Sequence, residues 1–130
     1  MQKTLPYHIY FRIALAATLA GTAVSVYLTY LHYKTYTDFA YSSFCALSKS
    51  INCDTVAQSP WSVAAGLPVS IWGIFSYLVL LLILSLAKKQ DDSTAPIWAL
   101  LTAVTGCASL VSAYLGYVSS FKIHAYCLLC

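Results

Sequence analysis

Three stretches of this chain carry no Asp, Glu, Lys or Arg: residues 13–33, 55–87 and 93–121. An uncharged, mainly apolar stretch of roughly 18 or more residues reads as a transmembrane helix. The expected fold class is an all-α membrane protein, a transmembrane helix bundle with spans at about 12–33, 69–87 and 96–119. Composition agrees, since 60% of residues are hydrophobic and only 8% charged, against about 25% charged in soluble domains. The whole of 1–130 reads as a single membrane domain.

The net charge of +3 is small and divided among short connections, which does not suit a nucleic-acid partner. Its use is orientation. Lys3 and Arg12 flank the first span, and Lys88 and Lys89 close the second. The positive-inside rule makes that side cytoplasmic, four charges against Lys34, Lys49 and Lys122 opposite. With three spans, the loop 34–68 and the tail 120–130 share the other, extracytoplasmic side. The setting is a multi-pass protein of the cell membrane, with lipid as its first partner.

The first span could be taken for a secretory signal, but its apolar run continues through Tyr27, Leu28 and Tyr30. That exceeds the ~7–15-residue core of a signal peptide. Ala14, Ala17, Gly21 and Ser25 recur at helical spacing and predict a face for close helix packing. Ala99, Ala103, Gly106 and Ala113 predict a second such face on the third span. Residues 54–66 read as a short interfacial helix, with Asp54 at its start and Trp61 as its anchor. The second span is polar and aromatic in its outer half and plain Leu/Ile in its inner half, so the outer half faces something other than lipid.

Five cysteines remain to be explained. Cys107 lies mid-span and reads as a small buried apolar residue. Cys45 and Cys53 sit in the redox loop 34–68, and Cys127 and Cys130 form a C-x-x-C. Three readings are open for these four: structural staples, a zinc site, or two redox-active pairs. The spacing of Cys45 and Cys53 is long for a zinc knuckle, and neither His32 nor His124 completes a ligand pattern. A membrane offers a redox relay a lipid-soluble electron acceptor.

The pattern C-x7-C-D from Cys45, then Ser59, then G-L-P-V-S-x-x-G-x-x-x-Y over Gly66–Tyr77, resembles the vitamin K epoxide reductase family, in its bacterial and archaeal quinone-reducing branch. Cys127 and Cys130 fall where that family keeps its active-site pair. The resemblance implies a disulfide-forming oxidoreductase built as a four-helix bundle around a quinone, with a half-helix in the first loop. Cys45 and Cys53 are then the shuttle pair that a separate thioredoxin-like thiol oxidant reduces. Cys53 exchanges with Cys127, and Cys130 reduces the quinone, of the ubiquinone or menaquinone type. Ser59, Trp61, Trp72 and Tyr77 are the implied quinone-binding side chains, with Ser59 near the quinone carbonyl. No metal is implied.

Two departures from the family pattern shape the expectation. Val69 stands where the animal enzymes place an Asn donor, which favours simple quinone reduction over epoxide reduction. The family also continues past its C-x-x-C into a fourth membrane helix, whereas this sequence stops at Cys130. The expectation is that these 130 residues by themselves insert and form the loop disulfide but do not turn over quinone. The competing reading is a structural or metal/thiol-binding membrane protein with stapled loops.

Overall fold

The computed structural model describes residues 7–38, 40–87, 95–127 and 129. Lys3, Lys88, Lys89, residues 91–94 and Cys130 lie outside the described residues. Helix α1 spans Tyr7–Thr37, and the short α2 spans Cys53–Ala57. Helix α3 spans Val69–Leu86, and α4 spans Ala95–Val118. Three of these helices are long and apolar enough to cross a membrane. Helix α1 overruns its expected bounds at both ends. Its 31 residues reach about 46 Å at about 1.5 Å each, well beyond the ~30 Å hydrocarbon core. The excess carries His32 and Thr35 into the cap, where both are buried.

Helices α1 and α3 form one close seam, and small residues make it possible. A Cβ on Gly21 would lie 2.3 Å from the Tyr77 ring, and one on Gly73 would lie 3.0 Å from the Ser25 hydroxyl. Between hydroxyls, Thr29 and Ser70 hydrogen-bond at 2.9 Å. These contacts step along α1 as 21, 25, 29 and along α3 as 77, 73, 70, the rows that antiparallel helices offer each other. At the far end the Tyr7 hydroxyl donates to the Ala87 carbonyl. Leu80, Ile83 and Leu84 complete the buried inner half of α3.

Helix α4 behaves differently. It is held at its ends, where Trp98 meets Tyr7 edge-on with ring centroids 5.8 Å apart and where Val118 is buried. Between those points its face is open. A Cβ on Gly106 would meet nothing within 4 Å, and Ala99, Ala103 and Ala113 are exposed. The expected packing stripe on α4 is therefore unpacked, and Cys107 is exposed instead of buried. The reasons differ: Cys107 lines the open space between α4 and the α1–α3 pair, whereas Ala99, Gly106 and Ala113 lie on a face of α4 outside that lining.

The loop between α1 and α3 is less helical than 54–66 suggests. Helix α2 ends at Ala57, followed by a single 3-10 turn over Pro60–Ser62. Ser59 is extended at φ −71°, ψ 151°, as the residue before a proline prefers. The start also differs, because Asn52 and not Asp54 is the N-cap. Its side-chain oxygen accepts from the N–H groups of Asp54 at 3.0 Å and Thr55 at 3.2 Å. The remainder is a two-residue ribbon, β1 (Val63–Ala64) against antiparallel β2 (Leu67–Pro68). Its turn needs left-handed backbone at Ala65 (φ 54°) and Gly66 (φ 80°), the positive angles that favour mirror-type hairpin turns.

Candidate functional site

The two cysteine segments meet because the loop and the tail are stitched by backbone. After α4 the chain widens into a π-helical turn over Ser119–Ile123, and His124 then takes the left-handed conformation at φ 55°. The Ser119 hydroxyl donates to the Ala125 carbonyl and holds that reversal. Tyr126 is thereby turned toward the loop. Its N–H donates to the Ser50 carbonyl at 2.7 Å, and its carbonyl accepts from the Asn52 N–H at 3.0 Å. Ile51 and Tyr126 form a parallel bridge. The residues paired by these bonds come just before Cys53 and just before Cys127.

Cys45 and Cys53 are joined by a disulfide with Cα atoms 5.8 Å apart. They are 0% and 1% exposed and form a buried cluster with Leu31. Tyr27, Tyr41, Ala57 and Cys127 pack against that cluster. Cys127 is itself disulfide-bonded. Cys53 opens α2 at its first turn, so its position follows directly from the Asn52 cap.

Below the cysteines lies a cavity of about 1000 Å³ between the α1–α3 pair and α4. Cys53, Cys127, Ser59, Trp61, Trp72 and Tyr77 all line it. Cys45 does not, being shut behind Cys53 in the cluster. The polar outer half of α3 thus faces this space, in line with its sequence gradient. Trp61 and Trp72 are each 46% exposed. Trp72 is fixed by its indole N–H on the Ala64 carbonyl at 3.0 Å, which ties α3 to the ribbon.

The hydroxyls of the cap are largely spent within it. Ser59 donates to the Val56 carbonyl at 2.8 Å, and Ser62 to the carbonyls of Ala57 and Ser59. The Tyr77 hydroxyl makes no hydrogen bond among the described residues. His32 is a cavity-lining side chain that sequence reasoning passed over. His32 and Ala57 both line the cavity where α1 meets α2. A lone histidine at the end of an apolar run carries no signal of such a role. Ser43 was also missed; its N–H donates to Asp54 Oδ2 at 3.0 Å across eleven residues. Among the described residues, no group of three or more His, Cys, Asp or Glu side chains is placed to hold a metal ion.

Apposed cysteine segments over an apolar cavity within a membrane-spanning helical protein thus come together in one place. A family model, the vitamin K epoxide reductase family, matches residues 12–130. The chain belongs to that family and is a membrane oxidoreductase of its kind.

Proposed function

We propose that this protein forms disulfides for exported proteins and passes the electrons to a quinone of the ubiquinone or menaquinone type. A separate thioredoxin-like thiol oxidant reduces the Cys45–Cys53 pair on the extracytoplasmic side of the cell membrane. Cys53 thiolate then attacks the sulfur of Cys127, forming a Cys53–Cys127 bond and releasing Cys130. Attack of Cys45 on Cys53 restores the first disulfide and leaves Cys127 and Cys130 reduced. Each step exchanges one S–S bond for another, which requires the attacking sulfur to reach the next. One observation carries the reading: the Asn52–Tyr126 backbone pairing brings Cys53 and Cys127 to the same end of one cavity.

The cavity fits a quinone in size, at about 1000 Å³, the upper end of the usual range of about 300–1000 Å³ for ligand sites. A bound quinone supplies the acceptor for two electrons and two protons. The chain supplies the walls and the polar contacts. Trp61 and Trp72 give flat apolar surface near the cap. Ser59 gives its proton to the Val56 carbonyl, so its oxygen can accept from the quinol O–H that reduction produces. Tyr77 has an O–H still to give. Val69 lines the same space and offers no donor, which suits plain quinone reduction.

The test is a trap. With Cys45→Ala and Cys130→Ala, mild oxidation of the protein in lipid is expected to accumulate a Cys53–Cys127 disulfide, identified by mass after proteolysis. If Cys53 and Cys127 stay as thiols under those conditions, the proposed relay is wrong.

A further inference from the structure

The two sulfurs of the loop disulfide sit in different surroundings. Both are buried, but Cys53 lines the cavity and Cys45 does not. Cys45 has a polar neighbour of its own, the Ser43 hydroxyl, with Oγ 3.6 Å from Sγ. A disulfide sulfur has no proton, so the hydroxyl is the donor.

Ser43 is firmly placed. It is 5% exposed; its N–H donates to Asp54 Oδ2 at 3.0 Å, and its carbonyl accepts from the Ala46 N–H at 3.1 Å. Asp54 is held in turn through its own N–H on the Asn52 cap. The second carboxylate oxygen, Oδ1, is buried without a partner, an arrangement that costs free energy. Tyr27 and Tyr41 pack on the same cluster, with Tyr27 in electrostatic reach of Asp54. A negative sulfur here would be opposed by the Asp54 charge, so a donor aimed at it matters.

We propose that Ser43, positioned by Asp54, makes Cys45 the sulfur that carries the negative charge when the pair exchanges with Cys127. From the cavity side, the Cys127 thiolate bonds to Cys53 Sγ. The Cys45–Cys53 bond breaks, and its electron pair stays on Cys45 Sγ. No proton moves, and one disulfide replaces another. The Ser43 O–H then donates to a thiolate, a stronger bond than its present one to neutral sulfur. In the closing direction, the same thiolate attacks Cys53 and expels whatever sulfur had joined it. The inference rests on the relay reading for its purpose, but its test does not.

The experiment uses the full chain in lipid with Cys127→Ser and Cys130→Ser, so that the Cys45–Cys53 pair equilibrates alone with a dithiothreitol buffer. The oxidised fraction is read by mass after acid quenching and alkylation under denaturing conditions. Relative to its parent at the same pH, Ser43→Ala is expected to lower the equilibrium constant for reduction about fivefold near about pH 9.5. Near about pH 6, where Cys45 is a thiol, it is expected to change little. Asp54→Asn keeps an oxygen for the Ser43 N–H and is expected not to reproduce the alkaline loss. An equal Ser43→Ala effect at both pH values, or none at either, overturns the proposal. An alkaline loss in Asp54→Asn as large as that of Ser43→Ala overturns it too, by making the carboxylate a base and not a positioning group. Failure here leaves the Cys53–Cys127 trap untouched, and failure of the trap leaves this titration readable.

Discussion

Helices α1 and α4 both carry a stripe of small residues, yet only one of the stripes is used. On α1 the stripe lets α3 approach until Tyr77 lies on Gly21 and Gly73 lies on Ser25. On α4 only Ala103 of the stripe lines the gap, and Gly106 has nothing within reach. Small residues permit contact but do not compel it. What decides is where the ends are tied: α3 is joined to α1 along its length, while α4 is joined through Trp98 at one end and the Val118–Tyr126 region at the other. One pair makes a wall. The other helix spans a gap, and the gap is the cavity.

The comparison breaks most severely at the tie that shapes the gap. Tyr126→Pro removes the N–H that donates to Ser50 and leaves that carbonyl unpaired. Transfer between Cys53 and Cys127 is expected to slow by about 100-fold, since misplacing reacting groups by about 1 Å can cost that much. The check is the rate of Cys53–Cys127 disulfide formation in the trapping variant. An unchanged rate would mean that the bridge does not position the cysteines.

The seam gives the next largest effect. Gly21→Ala places a methyl inside contact distance of Tyr77 and is expected to destabilise the protein by about 1–3 kcal/mol, the usual cost of overpacking. Adding Tyr77→Ala should recover part of that loss. Gly106→Ala, on the open face, is expected to stay within about 0.5 kcal/mol of the parent. Unfolding in mixed micelles measures all three, and equal costs at Gly21 and Gly106 would erase the distinction between the helices.

The polar tie within the seam is worth less. Breaking the Thr29–Ser70 hydrogen bond with Thr29→Val is expected to cost about 0.6 kcal/mol, the average for such bonds between membrane helices. A double-mutant cycle with Ser70→Ala isolates the pair. Coupling well above about 1.7 kcal/mol, the largest value usual for such bonds, would mean that hydroxyls and not shape hold the seam.

These contrasts mark what could be read from residues alone. Three apolar runs without charge were enough for the membrane helices, because length and hydropathy are local properties. Gly21 and Ser25 were legible as a packing face, but the identical logic at Gly106 misled, since a stripe says nothing about whether a partner reaches it. In the loop, Ser59-Pro60 was the stop that shortened the expected 54–66 helix, a local rule that outweighed the apolar run behind it. Asn52 and Asp54 are both capping types, and the choice between them turned on which side chain reached the next turn. The pairing of Asn52 with Tyr126 had no sequence trace at all. A single bridge has no period, and its two halves lie more than seventy residues apart. Ser43 was hidden for the same reason, being joined to Asp54 only by the fold.

The Asn52–Tyr126 tie has one more consequence, and it is kinetic. Two sulfurs held on adjoining stretches of one chain do not meet by diffusion. Well-oriented groups within a molecule react as though one were present at about 10⁵ M or more, a concentration that no dissolved disulfide can approach. Small disulfides around the membrane therefore compete poorly with Cys127 for the Cys53 thiolate of the proposed relay. In the proposed relay, proximity alone favours handing electrons from the loop pair to the next pair over losing them to a dissolved partner.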